Sequence, residues 1–362
     1  MAHRSPLDDL HRSLGAILQE EGGWELPARY RDPIEEHRAV REGVGLIDLA
    51  FPTFIRVTGT ERTRFLNGML SNDIARLEEG KGCYACLLNP QGKILADLNV
   101  TALSDCHILE TDARWKERAL DHLNKYLIAD DVTFQELTDD ILLALQGPGS
   151  PTLLERLVPG IIPPAAEHQS IQVTIDGHSC RLTRASITGE EGYTLALSVK
   201  GAGVVWQALQ GAGAVPVGMV TLNTLRLEAG IPWFGVDFDE GNFPQEAGIA
   251  DRAVSFTKGC YIGQEFVIRI AHRGHVNRRI SGLTVEREPI PRPRDRILHD
   301  DKEVGRITSA ALSPTLGKII ALGMLRREWQ EPGTAVQVES PDGSVPARVT
   351  PLPFYRRHSH IG

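Results

Sequence analysis

A chain of 362 residues is too long for one small domain; at about 100–200 residues per domain it predicts two or three. Hydrophobic residues at 41% and charged residues at 24% exclude wholesale disorder and allow a core that needs no disulfide staples. The balance of 39 Lys and Arg against 47 Asp and Glu, a net charge of -8, argues against a nucleic-acid coat or a membrane-surface protein.

There is no run of about 18 apolar residues, so no transmembrane helix is expected. Met1-Ala2-His3-Arg4-Ser5-Pro6 lacks the apolar stretch of a signal peptide. Five cysteines, an odd number, predict unbridged thiols in a reducing compartment, and the expected location is the cytoplasm.

Leu7, Leu10, Leu14, Ile17 and Leu18 recur at helical spacing and predict an opening amphipathic helix, ended by Gly22-Gly23. Residues 46–57 alternate loosely around Pro52 and predict one short, bent strand. Thr60 is the expected cap of a helix with Glu61 in its first turn and Phe65, Leu66, Met69 and Leu70 as its buried stripe. A hairpin follows: residues 83–88 and 93–100 flank Asn89-Pro90-Gln91-Gly92, which fits a type I turn. On its second strand Asp97, Asn99 and Thr101 share one face, and Ile94, Ala96, Leu98 and Val100 the other.

Helices are then expected over 113–128, from 151, over 204–211 and over 221–228, with strands at 142–145, 171–175, 178–183 and 193–197. Residues 234–248 read as an acidic loop and 287–296 as a Pro- and Arg-rich connection. Beyond it come short alternating segments with a hairpin signal at Pro341-Asp342-Gly343-Ser344, so the last stretch predicts a small all-β barrel. Strands and helices lack a strict βαβ rhythm. The expected class is α+β with antiparallel sheets, in regions 1–140, 141–280 and 281–362. No phosphate loop or dinucleotide fingerprint occurs.

Lys-Gly-Cys-Tyr appears twice, at 81–84 and 258–261. In the first copy Cys83 and Cys86 form a Cys-x-x-Cys on an apolar strand, where residues three apart face opposite sides; that geometry suits neither a dithiol nor a metal. The second copy runs into Ile262-Gly263-Gln264-Glu265, with Gly263 placed to cap a helix. Cys260 there is either a reactive thiol, favoured as thiolate by Lys258 and the cations Arg269 to Arg279, or an ordinary loop cysteine. His272, His275, His358 and His360 fit no closed metal site with Cys260, so no metal is expected.

Lys258-Gly259-Cys260-Tyr261-Ile262-Gly263-Gln264-Glu265, followed by Arg269 and Arg273-Gly274, resembles the signature of the YgfZ family, folate-binding proteins that maintain iron–sulfur enzymes. The chain as a whole resembles the larger superfamily of the glycine-cleavage T-protein, the folate-dependent aminomethyltransferase. This rests on 44–48, Leu70-Ser71-Asn72-Asp73, 88–98, Thr188-Gly189-Glu190-Glu191-Gly192-Tyr193, Leu225-Arg226-Leu227-Glu228-Ala229-Gly230, 237–248, Ser313-Pro314-Thr315 and Ala321-Leu322-Gly323, in that order.

The resemblance implies three modules around a central opening that binds tetrahydrofolate or a derivative, plus the C-terminal barrel. It implies Glu190 as the carboxylate for the pterin edge, with Arg226, Asn72 and Lys258 at the folate site and Cys260 as the essential thiol. From residues alone, Glu190-Glu191-Gly192 reads as a solvated turn and Arg226 as part of a mixed-charge helix. The T-protein has paired acidic residues where this chain reads Ala96-Asp97. Asp97 is either the surviving catalytic carboxylate or a solvent-facing strand residue. The implied partners are folate and iron–sulfur client enzymes or assembly factors, without membrane; direct nucleic-acid binding through the 269–279 cations is disfavoured by the net charge. The alternative activity is one-carbon transfer of the aminomethyltransferase or N-methylamine demethylase type.

Overall fold

The computed structural model describes residues 2–341 and 343–357. The chain divides into two compact units, each assembled from separate segments. Among the described residues, one takes 2–87, 96–222 and 257–261; the other takes 88–95, 223–256, 262–341 and 343–357.

In the first unit, among the described residues, the strands form three sheets. The smallest orders His3–Arg4, Trp24–Arg29 and Ile17–Glu21. Here the structure corrects the first predicted helix, which spans only Asp8–Ser13. Ile17–Glu21 instead pairs antiparallel with Trp24–Arg29. Gly22 and Gly23, at φ 58° and 84°, make the turn between them. Two successive positive φ angles define a tight hairpin turn that glycine enters at no steric cost, so the pair marks a hairpin and not a helix end. Ile17 is half exposed, so its helical spacing to Leu14 reflected no buried face.

A six-stranded sheet runs Ser170–Ile175, His178–Arg184, Gly192–Ser198, Asp140–Gln146, Gly45–Leu49 and Val215–Pro216. Helix Val199–Gly211 belongs to the same unit and buries Trp206 completely. A five-stranded sheet runs Gly82–Leu88, Ile94–Ala102, His107–Asp112, Pro52–Thr58 and Thr133–Leu137. The bent strand expected over 46–57 is thus two strands in two sheets. Pro52 opens the second, a position that tolerates a missing N–H. Helix Arg62–Met69 buries Phe65, Leu66 and Met69 as expected, but its N-cap is Glu61; Thr60 Oγ1 donates to Asp131 Oδ2 over 2.7 Å instead.

The chain's first helix is tied to strand Gly45–Leu49 through a buried polar network. Ser5 Oγ donates to Asp48 Oδ2, His11 Nε2 lies 2.8 Å from the same oxygen, and Tyr30 Oη lies 2.8 Å from His11 Nδ1. Burial and the charges of Asp48 and Glu36 push the Tyr30 phenol upward.

The second unit holds a closed barrel of six strands among the described residues, in the order Arg278–Val285, Lys318–Arg326, Lys302–Ser313, Arg296–His299, Ala335–Ser340 and Gly343–Thr350. Leu283, Ile297, Val304, Ile307, Val338 and Val349 fill its core. The strands flanking the expected hairpin at 341–344 do pair; Asp342 itself lies outside the described residues. Helix Gln264–Arg273 begins after Gly263, as its position in the sequence predicts. The fold is therefore α+β, with sheets that are antiparallel except for the short strands His3–Arg4 and Val215–Pro216, and a C-terminal barrel.

Candidate functional site

Asp97 sits on strand Ile94–Ala102, whose side chains alternate between buried and half-buried up to Asn99. Ala96 is completely buried on the core face, and Asp97 is half-buried on the polar one. Tyr84 Oη, from the neighbouring strand of the hairpin, donates to Asp97 Oδ2 over 2.7 Å. Thr111 Oγ1 donates to the Asp97 carbonyl over 2.8 Å. Two residues on, Asn99 Nδ2 donates to Glu110 Oε1 over 2.9 Å, and burial pushes the Glu110 carboxyl upward. One face of the hairpin thus carries a hydrogen-bonded polar row whose carboxylate is oriented by a phenol.

Glu190 lies in the turn after strand His178–Arg184, and Gly189 before it takes φ 79°, a conformation that favours glycine. Gln146, at the end of strand Asp140–Gln146 in the same sheet, pins this turn. Its Nε2 donates to the Ala185 carbonyl over 2.9 Å, and its Oε1 accepts from Ile187 N over 3.0 Å and Thr188 Oγ1 over 3.2 Å. The two acidic residues of the turn part ways. Glu191 Oε1 meets Arg184 Nη1 at 2.9 Å with its side chain 42% exposed. Glu190 is enclosed, and Arg41 Nη1 donates to its Oε1 over 2.7 Å. The solvated-turn reading is therefore correct for Glu191 and wrong for Glu190.

Asn72 is a brace. Its Nδ2 donates to the Tyr84 carbonyl over 2.9 Å, and its Oδ1 accepts from Asp73 N over 2.9 Å. Lys258 is held at the C-terminal end of helix Arg62–Met69, where Nζ donates to the carbonyls of Asn67, Leu70 and Asn72 at 2.6, 2.7 and 2.7 Å. A cation there complements the helix dipole and satisfies carbonyls that the helix leaves over. Burial pulls the ammonium down to about 8, against the opposing charges of Asp73 and Cys83. The three donors of this ammonium are directed at the protein's own backbone. Asn72 and Lys258 come together: Lys258 Nζ donates to the Asn72 carbonyl, and the Asn72 side chain holds the Tyr84 carbonyl.

The two Lys-Gly-Cys-Tyr copies present their thiols differently. Cys260 is exposed. Cys83 is half-buried, and burial pushes its thiol up to about 12, with Lys258 opposing and Asp73 adding to the shift. Cys86, Cys106 and Cys180 are buried, and among the described residues no disulfide forms. No group of three His, Cys, Asp or Glu side chains gathers as a metal site among the described residues; His358 and His360 lie outside them.

Arg226, in the second unit, is completely buried. Nε donates to Asn223 Oδ1 over 2.9 Å, Nη2 to Ser309 Oγ over 2.7 Å, and Nη1 to Asp237 Oδ2, while Trp233 stacks on the guanidinium at 4.8 Å. Asp237 also accepts from Thr308 Oγ1 over 2.7 Å, Ser309 Oγ over 2.7 Å and Trp233 N over 2.9 Å. This network binds helix Met219–Glu228 to barrel strand Lys302–Ser313.

Tyr84 and Arg41 drew no role from the sequence. Tyr84 lies on the partner strand of the predicted hairpin, so its reach toward Asp97 had a readable signal. Arg41 lies 149 positions from Glu190, and no local pattern links them.

A family model described as the GCVT N-terminal domain matches residues 7–258, and one described as the glycine cleavage T-protein C-terminal barrel domain matches 278–356. An aminomethyltransferase of Streptomyces avermitilis is 35% identical over 361 residues, covering 97% of both chains. One from Rubrobacter xylanophilus is 33% identical over 355 residues, covering 98% of this chain and 94% of that protein. The crystal structure of glycine cleavage system aminomethyltransferase T from Bartonella henselae matches with a TM-score of 0.90 at 27% identity, covering 98% of each chain. The narrower YgfZ resemblance draws no support from these relatives and rests on the octapeptide around Cys260.

Proposed function

This chain belongs to the glycine cleavage T-protein family, and we propose that it is a tetrahydrofolate-dependent one-carbon transferase of the aminomethyltransferase type. The observation that carries this reading is the orientation of Asp97. Of the paired acidic positions in the family, the one lost is Ala96, which faces the apolar core. The one kept is on the polar face, hydrogen-bonded to Tyr84. A carboxylate at 96 would face the core; the polar-face setting of Asp97 supports a role in holding or moving a proton and in stabilising developing positive charge.

The donor set also fits the cofactor. A pterin edge offers an N–H beside an amino group, and a carboxylate accepts from both. Glu190, enclosed and paired with Arg41, is the carboxylate we assign to it. When bound, tetrahydrofolate supplies the nitrogen that takes up the one-carbon unit.

The test is direct. The purified protein is given tetrahydrofolate with glycine-cleavage partners, and separately with N-methylglycines plus the two-electron acceptor that oxidation of a methyl to the methylene level requires, and methylene-tetrahydrofolate is measured. Formation that disappears with Asp97→Asn supports the reading; no product with any donor removes it.

The exposure of Cys260 favours a second reading, support of iron–sulfur enzymes through that thiol. In cells lacking their own copy, rescue of [4Fe-4S] enzyme activity that is lost with Cys260→Ser but kept with Asp97→Asn would put this reading first. Rescue unaffected by Cys260→Ser would remove it.

A further inference from the structure

Arg41 and Glu190 form a desolvated ion pair, with side chains 9% and 0% exposed. An exposed pair contributes little, but a carboxylate enclosed to this degree depends on its counter-charge, because burying it unpaired is costly. Arg41 lies near the end of helix Pro33–Glu42, far along the chain from the turn it meets. One nitrogen, Nη1, reaches both Oε1 of Glu190 at 2.7 Å and the Thr188 carbonyl at 3.5 Å. The guanidinium therefore grips the side chain and the backbone of the same turn. The turn holds itself as well: Ser186 Oγ donates to the Glu190 carbonyl over 2.6 Å, and Glu190 N donates to Thr188 Oγ1 over 3.4 Å.

Resting on the folate reading above, we propose that Arg41 is a positioning residue for pterin recognition. It fixes the rotation of the Glu190 carboxylate so that both oxygens face the two adjacent donors of the pterin edge. A carboxylate has about four lone-pair sites, so Oε1 can accept from Arg41 and still accept from a ligand. Without the Arg41 contact the carboxylate rotates, and the two-point contact falls to one. The side chain has no part in the one-carbon chemistry. Its signature is discrimination for the 2-amino group of the pterin, not a change in the transfer step.

The experiment measures the dissociation constants of tetrahydrofolate and of its analogue lacking the 2-amino group. The proteins are wild type, Arg41→Gln, Arg41→Lys, Glu190→Gln and the Arg41→Gln/Glu190→Gln double variant, each checked for folding by thermal melting. Arg41→Gln is expected to weaken tetrahydrofolate binding by about 10- to 100-fold, the range for losing a hydrogen bond to a charged group. It is expected to lose most of the preference for the 2-amino compound, with Arg41→Lys falling between it and wild type. The double variant should bind no worse than the weaker single. If Glu190→Gln weakens binding while Arg41→Gln keeps wild-type affinity and preference, the role of Arg41 is overturned and the folate reading stands. Fully additive effects in the double variant overturn it equally. If Glu190→Gln binds as wild type does, the assignment of Glu190 fails and takes this inference with it. Should Arg41→Gln not fold, Arg41→Lys decides: undiminished preference for the 2-amino compound overturns the proposal.

Discussion

The phenol of Tyr84 donates to Oδ2 of Asp97 over 2.7 Å, fixing the plane of a carboxylate on the polar face of its strand. A carboxylate that handles a proton works only at the correct angle, so the phenol is expected to act through the aspartate. Asp97→Asn should lower kcat for one-carbon transfer by about 100- to 1,000-fold, the scale of losing one preorganised electrostatic group. Tyr84→Phe should lower kcat by about 10-fold with KM nearly unchanged, since one orienting hydrogen bond to a charged group is removed. Equal rates for wild type and Asp97→Asn would show that Asp97 is a strand residue and nothing more.

The thiols are predicted to separate by reactivity. At pH 8 the half-buried Cys83, pushed up to about 12 by burial, stays almost wholly in the thiol form. Burial also pushes Cys106 up and Cys180 to about 11, while Cys260 is exposed. Brief treatment with iodoacetamide followed by peptide mass spectrometry should find one modified cysteine, Cys260. Equal modification of Cys83 would mean that the Gly82–Leu88 strand opens readily.

Much of this architecture was legible because it rests on local signals. The Asn89-Pro90-Gln91-Gly92 turn, the alternation from Ile94 to Val100 and the barrel strands follow from period-two patterning and turn chemistry, and Gly92 N does donate to the Asn89 carbonyl over 2.9 Å. The failures have a shared cause. Leu14 to Leu18 matched helical spacing by chance, and the φ of 78° at Gly15 overrode it. The resemblance places Arg226 and Lys258 at the folate site, and what the sequence does not show is which protein groups hold them. Arg226 reaches Asp237 11 positions on but also Ser309 83 positions away, and Lys258 reaches Asn67 across 191. No single-chain pattern carries that information.

The buried Arg226–Asp237 pair is predicted to be structural. Asp237→Ala leaves a guanidinium in the interior with its main counter-charge removed, a change that costs about 3–5 kcal/mol. Urea unfolding should show that loss, and the double variant Arg226→Met/Asp237→Leu should recover part of it because no charge remains buried. A loss below about 1 kcal/mol, the scale of an exposed pair, together with weakened folate binding, would return Arg226 to the ligand site.

Acid sensitivity is predicted to arise in part at His107. Burial, then the charge of Arg62, pulls its imidazole down to about 4, and its Nδ1 has no hydrogen-bond partner among the described residues. In the unfolded chain the ring titrates near its ordinary value of about 6.5. Between pH 6.5 and 4 the unfolded state therefore binds a proton there that the folded state does not. Stability rises with pH across this window, so acidification through it removes stability, and the effect vanishes above it. His107→Gln cannot take up that proton. Unfolding free energies measured from pH 7 down to pH 4.5 should fall more steeply for wild type than for the variant. Parallel curves would show that His107 protonates in the folded state as readily as in the unfolded one.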